Sequence, residues 1–164
     1  MKNSILRGGL LLVIITLSIA CNQKKEEAAA APAVIDKEQI KAEIQALEDH
    51  FALTYNTRNV ADAMDYYADD ATSYFNNRMP IVGKDSIEKI ITEELADFPK
   101  GAKISFTTKE VYSANEGKHV FEIGSYKVVD STNTKIRGGN YFSLFEKRNG
   151  KYVCVRDMAN STPE

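Results

Sequence analysis

Hydrophobic side chains recur at three- and four-residue steps in two long stretches between residues 36 and 98, a spacing typical of helices with one buried face. The first stripe consists of Ile40, Ile44, Leu47, Phe51 and Tyr55. It predicts a helix that begins after Asp36, because an aspartate side chain caps a first helical turn well. The second stripe consists of Ile87, Ile90, Ile91 and Leu95. It predicts a helix capped by Asp85 or Ser86 and ended by Pro99.

A shorter helix and two short strands are expected between these helices. Val60, Met64 and Tyr67 share one side of the short helix, which we expect to end at Asp69-Asp70. Residues 71–76 then favour a strand, and residues 81–82 a second brief strand before the last helix.

From Lys103 onward the pattern changes to the two-residue alternation of strands. Turn-forming residues divide this part into four strands, over 103–112, 119–129, 135–147 and 152–158. Gly138-Gly139 lies inside the third of them and predicts a bulge or a sharp bend. The expected fold class is therefore α+β. Three N-terminal helices would pack on a curved, mainly antiparallel sheet and leave a cone-shaped cavity.

The N-terminus has the pattern of a secretory signal rather than of a domain. Lys2 and Arg7 precede an apolar run over residues 10–17, which is too short for a comfortable transmembrane helix of about 20 residues. Ser18-Ile19-Ala20-Cys21 resembles a bacterial lipobox, which implies removal of residues 1–20 and lipidation of Cys21. Ordinary cleavage near Ala20 is the alternative.

The remaining chain divides into a tether and one domain. Residues 21–34 are charged and rich in alanine, with too little apolar bulk to bury, so we expect a lipidated Cys21 on a flexible tether. Residues 35–164 form the domain. The protein would then be anchored in a bacterial cell envelope, at the periplasmic face of the outer membrane or at the cell surface.

Composition excludes several function classes. The chain of 164 residues has 21 basic and 23 acidic residues, and this weak acidity argues against nucleic-acid binding. Two cysteines and two histidines are too few for a disulfide framework or a clustered metal site, so we expect neither metal nor cofactor. No local motif for nucleotide, serine-hydrolase or zinc-protease chemistry is present in the sequence.

Several segments are similar to one known superfamily. Residues 55–72 contain Ala68-Asp69-Asp70-Ala71 after a short predicted helix, and residues 81–87 resemble the entry to the superfamily's third helix. Two further matching segments lie near the C-terminus, at Gly139-Asn140-Tyr141 and at residues 149–161. These segments resemble the nuclear-transport-factor-2-like, or SnoaL-like, superfamily and its branch called domain of unknown function 4440. The resemblance covers about residues 40–162 and implies the cone-shaped fold.

The resemblance also bears on activity. Ketosteroid isomerases of this fold use a tyrosine and two aspartates, and the matching positions here are Phe51, Phe75 and Asn140. Because phenylalanine cannot accept a proton from carbon, we do not expect that chemistry.

Alternation and the resemblance together predict the cavity wall. The expected lining residues are Phe51, Tyr55, Phe75, Phe121, Ile123, Asn140, Phe142 and Val155, with Asp157 as the candidate catalytic group. A carboxylate in an apolar cone has a raised pKa and can act as a general base. The alternative is a structural Asp157 that only accepts hydrogen bonds.

Three functions remain open at this point. The first expectation is a lipid-anchored, non-catalytic protein that binds a small apolar or aromatic molecule in the cone. The alternatives are an isomerase, dehydratase or cyclase with Asp157 as base, and a protein-partner module whose cavity is filled. The resemblance implies a homodimer formed across the outer face of the sheet, where we place Val120, Tyr126 and Val128.

Overall fold

The computed structural model describes residues 36–162, so the predicted signal segment and tether at 1–34 lie outside the described residues. The described residues form three α-helices and a six-stranded sheet, and the first two strands lie between the second and third helices in the chain. The helices are α1 (Lys37–Thr57), α2 (Val60–Ala63) and α3 (Lys84–Asp97). The strands are β1 (Tyr67–Tyr74), β2 (Ile81–Val82), β3 (Lys103–Ala114), β4 (His119–Val129), β5 (Lys135–Arg148) and β6 (Lys151–Ser161). The predicted α+β fold class is confirmed.

The sheet has the order β2-β1-β6-β5-β4-β3. Strands β3 to β6 form the predicted antiparallel meander, and the single parallel pairing joins β1 to β6. The cavity lies between the inner face of this sheet and the helices α1 and α3. No helix within residues 36–162 is both long and apolar enough to cross a membrane.

Helix α1 begins and ends where its sequence predicts. The Asp36 side chain accepts from the backbone amides of Glu38 and Gln39 at 3.0 and 3.2 Å. At the other end Arg58 takes the left-handed conformation, with φ 57°, and terminates the helix. Further along the helix, the carboxamide of Asn56 both donates to and accepts from the backbone of Ile104, at 2.9 and 2.8 Å. The helix is thereby fixed to the edge strand β3.

The second helix is shorter than its apolar spacing predicts. It ends at Ala63, a 3-10 turn follows over Met64–Tyr66, and β1 already begins at Tyr67. Tyr67 is therefore the first residue of a strand that pairs with Cys154 of β6, and it is not the last residue of a helix. Pairing with a long neighbouring strand outweighs a helical preference over so few residues. Asp69 and Asp70 lie in this strand as exposed residues.

Glycines allow two close approaches on the inner face of the sheet. A Cβ atom at Gly124 would lie 2.1 Å from Cζ of Tyr141, its cross-strand neighbour, so the tyrosine ring covers this glycine. A Cβ atom at Gly139 would lie 1.8 Å from the carbonyl oxygen of Asn160. The predicted irregularity near the paired glycines is present as a register shift between Val128 and Val129 of the neighbouring strand.

Candidate functional site

A cavity of about 470 Å³ opens between the helices and the inner face of the sheet. Eight of its lining residues are aromatic: Phe51, Tyr55, Tyr66, Tyr67, Phe75, Phe106, Tyr126 and Tyr141. Four are acidic and two are arginines: Glu48, Glu94, Asp97, Asp157, Arg78 and Arg137. The cavity therefore combines an apolar wall with an unusual concentration of ionisable groups.

Phe51 of α1 is at the centre of the aromatic wall. Its ring stacks on Tyr66 with the centroids 4.5 Å apart, and it meets Tyr55 edge-on at 5.1 Å. It also contacts Tyr67 and Phe106, each with a centroid separation of 5.8 Å. Such interlocked rings hold one another in fixed positions. The wall is consequently preformed without a ligand.

Asp157 of β6 carries the carboxylate that faces the aromatic wall. Its Oδ2 accepts a hydrogen bond of 2.9 Å from the Tyr67 hydroxyl. Its Oδ1 is enclosed and has no partner that meets hydrogen-bond geometry among the described residues. Ser73, which pairs with Asp157 across the parallel strands, lies near enough to act on the carboxylate through its hydroxyl.

The environment of Asp157 shifts its titration towards neutrality. Burial raises the pKa of Asp157 to about 6, although the hydroxyls of Ser73 and Tyr67 act in the opposite direction. A carboxyl group with this pKa is mostly ionised at pH 7 and still basic enough to accept a proton. Its geometry and its pKa are thus both compatible with a general base.

A second acidic group lies at the inner end of the cavity, beneath Tyr66. Glu48 of α1 and Glu122 of β4 are 1% and 0% exposed, and their carboxyl groups interact directly. The Tyr66 hydroxyl donates to Glu48 Oε1 at 2.5 Å. Glu122 Oε1 accepts from the hydroxyls of Thr108 and Tyr141 at 2.6 and 2.9 Å.

The surroundings of these two carboxyl groups favour a single proton between them. Burial, followed by the negative charge of Glu122, raises the pKa of Glu48 well above its ordinary value. Glu122 is stabilised as the ionised partner, since the hydrogen bonds it accepts oppose the rise in its pKa that burial causes. Glu48 is therefore favoured as the protonated member of the pair, and the neighbouring Glu122 Oε2 has no hydrogen-bond partner among residues 36–162.

The mouth of the cavity carries charges of both signs. Tyr55 donates to Glu94 at 3.2 Å, and burial raises the pKa of Glu94 while Arg78 and Arg137 lower it. Arg78 also lies 3.8 Å from Glu93, and the guanidinium of Arg137 lies 5.6 Å from the centre of the Phe98 ring. The two arginines are therefore associated with α3 and its carboxylates.

The described residues offer no obvious metal or thiol chemistry. Within 36–162, no group of three or more histidine, cysteine, aspartate or glutamate side chains is arranged to hold a metal ion. Cys154 is fully buried, and burial raises the pKa of its thiol well above the ordinary value, so the thiol stays protonated.

The structure places only part of the predicted lining on the cavity wall. Phe51, Tyr55, Phe75 and Asp157 line the cavity. Phe121, Ile123 and Phe142 do not, because they lie on the outer face of the sheet; this part of the prediction is wrong. Phe121 and Phe142 are 41% and 40% exposed and stack on each other with centroids 5.8 Å apart.

The error comes from Glu122. Alternation of apolar and polar residues along β4 assigns Phe121 and Ile123 to the interior and Glu122 to solvent. In the structure Glu122 is buried, and with it Val120 and Val128, while Tyr126 lines the cavity. Val120, Tyr126 and Val128 were predicted to lie on the outer face of the sheet, and this prediction is therefore wrong.

Asn140 and Val155 also need correction. Asn140 lines a shallower cleft of about 310 Å³, beside Tyr74 and Phe142, which adjoins the cavity at Phe75 and Asn76. Val155 is buried in the core and is not part of the cavity wall. Asn140 lies two residues before Phe142 in β5 and shares its outward face, whereas Val155 is the unpaired residue at a register shift between β5 and β6, where simple alternation fails.

Sequence reasoning missed several residues of the site. The missed residues are Glu48, Tyr66, Tyr67, Glu94, Arg78, Phe106, Arg137 and Tyr141. Glu48 carried a usable signal, because it falls between the apolar positions Ile44 and Phe51 and lies on the buried side of α1 at the four-residue step. For the arginines, the sequence holds no comparable signal.

Comparison with solved structures shows where this fold recurs. A protein of unknown function with a cystatin-like fold from Nostoc punctiforme superposes with a TM-score of 0.65 at 16% identity, over 76% of this chain and 92% of that chain. The hexachlorocyclohexane dehydrochlorinase LinA-type3 from Novosphingobium barchaimii gives 0.65 at 15% identity, over 77% and 88%. A ketosteroid isomerase-like protein from Erwinia carotovora gives 0.58 at 17%, over 76% and 97%. At these identities the likeness shows the fold alone.

No curated protein matches the chain. The SnoaL-like domain, in contrast, matches residues 47–155, a range that contains α1 from Leu47 onward and the sheet as far as Val155. Because this match covers more than half of the sequence, the chain belongs to the SnoaL-like domain family.

Proposed function

We propose that the domain binds a small organic molecule in the cavity, with the Asp157 carboxylate as its polar contact. The observation that carries this proposal is the enclosed Asp157 Oδ1, which lacks a well-formed hydrogen bond at the wall of a cavity of about 470 Å³. A buried polar atom without a partner lowers stability, and a ligand that donates to it removes that penalty. An open cavity of this size argues against the alternative of a protein-partner module with a filled cone.

The aromatic wall indicates the rest of the ligand. Phe51, Phe75 and Phe106 offer flat apolar surface. Rings of this kind favour an apolar or aromatic body of modest size, and the available volume suits a molecule of roughly drug-like dimensions.

Ligand-observed NMR against a metabolite library tests this proposal. Ala159 lines the cavity, and Ala159→Trp would fill its mouth, whereas Ala42→Trp adds the same side chain to an exposed position of α1. We expect some library compounds to bind both the wild type and the Ala42→Trp variant. The same compounds should not bind the Ala159→Trp variant. The absence of any hit, or hits that bind Ala159→Trp equally well, would contradict the proposal.

Proton transfer is the second candidate function, and the geometry around Asp157 favours it. The ionised carboxylate would remove a proton from a carbon of the ligand, so that the C–H bond breaks and Asp157 becomes the neutral acid. Returning this proton to another carbon completes an isomerisation. Tyr67 holds the carboxylate in place through Oδ2 and leaves Oδ1 free for the transfer.

Deuterium exchange separates binding from catalysis. Each hit from the library is incubated in D₂O with wild type or with Asp157→Asn, and exchange at carbon is followed by mass spectrometry. Exchange that requires Asp157 supports proton transfer, and binding without exchange supports the non-catalytic protein.

Attachment to a membrane belongs to the same proposal. The Ser18-Ile19-Ala20-Cys21 segment supports lipidation of Cys21 in the bacterial cell envelope, with residues 22–34 as the tether. Metabolic labelling with an alkyne fatty acid in a bacterial host tests it: label in the wild type but not in Cys21→Ser is expected. The domain-of-unknown-function-4440 branch remains our proposed position within the family.

We also propose a homodimer, now through different residues. Large apolar side chains are exposed on the outer face of the sheet, among them Tyr112, Phe121, Phe142 and Met158. Contiguous exposed apolar surface of this kind indicates an interaction site. Light scattering of Phe121→Glu should give half the wild-type mass, while Leu53→Glu, at an exposed position of α1, should leave it unchanged. A monomeric wild type would contradict this part.

A further inference from the structure

The Asp157 carboxylate, whose Oδ1 is enclosed, forms no ion pair with a lysine, arginine or histidine among residues 36–162. The groups that act on it most strongly are the hydroxyls of Ser73 and Tyr67, its own backbone and the negatively charged Glu94. The negative charge of Asp157 in turn acts on Tyr67 and Cys154. After burial, that charge is the largest cause of the raised pKa of Tyr67 and of Cys154.

The basic residues of the cavity do not fill this role. Among residues 36–162, Arg78 and Arg137 are the basic side chains on its wall, and both act on Glu94. Arg137 is further held over the Phe98 ring, and Arg78 lies beside Glu93. A negative charge in an enclosed site without a cation is unfavourable, so a ligand cation at this position gains more than it would in water.

The walls around Asp157 are suited to a cation as well. Tyr67 and Phe51 lie edge-to-face at 5.8 Å, and Tyr66 lies 5.0 Å from Tyr67. The faces of such rings carry a partial negative charge and attract ammonium groups. Quaternary ammonium groups such as that of choline are a common example of this recognition. An aromatic enclosure with one carboxylate is an arrangement that binds alkylammonium groups.

We infer that the ligand of this cavity carries an organic cation, an alkylated amine, whose positive charge lies beside the Asp157 carboxylate and between the surrounding aromatic rings. This inference rests on the proposed binding function and specifies its ligand class. The apolar substituents of the amine would occupy the surface of Phe51 and Phe106. A neutral molecule of the same shape would make the same apolar contacts and leave the carboxylate unpaired.

Choline and 3,3-dimethylbutan-1-ol test the inference, because they have the same shape and differ by one charge. Their affinities for the full chain in a non-ionic detergent are compared by NMR titration. We expect choline to bind at least about tenfold more tightly than the neutral alcohol. Asp157→Asn should abolish this preference and retain weak binding of both. Asp97→Asn, the same change at an exposed residue of the cavity rim, should preserve it.

The outcomes separate the two proposals. Equal binding of the two probes, or a preference that survives in Asp157→Asn, would overturn the cationic ligand and leave the binding function in place. If neither probe binds, the cationic ligand is also overturned. The binding function is contradicted as well only if the library yields no ligand that Ala159→Trp excludes.

Discussion

Tyr67 and Asp157, on the two parallel strands of the sheet, are joined by a hydrogen bond of 2.9 Å from the phenol to Oδ2. The bond fixes the carboxylate against the aromatic wall and directs its second oxygen away from Tyr67. It also favours the ionised form of a group whose burial favours the neutral form. Together with Ser73, Tyr67 therefore opposes the effect of burial on the pKa of Asp157, and its hydrogen bond helps to hold the carboxylate in position.

Tyr67→Phe should raise the pKa of Asp157 above its value of about 6, because it removes a donor to the ionised form. A hydrogen bond to a charged group contributes about 1.5 kcal/mol or more, which corresponds to a shift of roughly one pH unit in the titration midpoint. The measurement is an NMR titration of the Asp157 carboxyl carbon. An unchanged midpoint would show that the hydroxyl has no such role.

Glu48→Gln should make the protein more stable at alkaline pH. The folded state holds a proton on Glu48 above the ordinary pKa of 4.5, so it binds more protons than the unfolded chain, and stability falls as pH rises. Glutamine can accept from Tyr66 and donate to Glu122 at every pH. We expect little change at pH 5 and a gain of about 1 kcal/mol or more at pH 9 in urea unfolding.

A matched control is available on α3. Glu88 is exposed there, and Glu88→Gln makes the same chemical change outside the core. It should leave the pH dependence of the free energy of unfolding as it is in the wild type. A Glu48→Gln variant with the wild-type slope would mean that the two buried carboxyl groups do not share a proton.

Gly124→Ala should destabilise the fold through Tyr141. The new methyl group would lie 2.1 Å from Cζ of a ring that also donates to Glu122, so ring and strand must move apart. Overpacking of this kind costs about 1–3 kcal/mol. In a Tyr141→Ala background the same substitution should cost far less, and thermal unfolding of the four proteins of this cycle measures the coupling. Equal costs in both backgrounds would argue against the steric cause.

The fold could be predicted from the sequence because its signals are local. The α1 stripe from Ile40 to Tyr55, the Asp36 cap and the turns between the strands each depend on neighbouring residues, and the structure contains them. Tyr67 shows the limit of this reasoning. Its helical spacing depends on residues nearby in the sequence. Its conformation is decided instead by pairing with Cys154 in β6, which is distant in the sequence.

The candidate site could be predicted only in part. Asp157 and Phe51 lie on the cavity wall, where alternation and family resemblance place them. The position of Glu122 could not be derived, because the carboxyl group with which it interacts belongs to Glu48, which is 74 residues away in sequence. When a charged residue in a strand is buried, the residues on either side of it point away from the core. Phe121 and Ile123 were therefore assigned to the wrong face of β4.

The most direct test of the central claim is the titration midpoint of Asp157 with and without a bound cation. A positive charge beside the carboxylate favours its ionised form and lowers its pKa. With saturating choline the midpoint should fall from about 6 by roughly one pH unit, and with 3,3-dimethylbutan-1-ol it should remain near 6. A midpoint that is the same in the free protein and in the presence of either compound would contradict a cation site at Asp157.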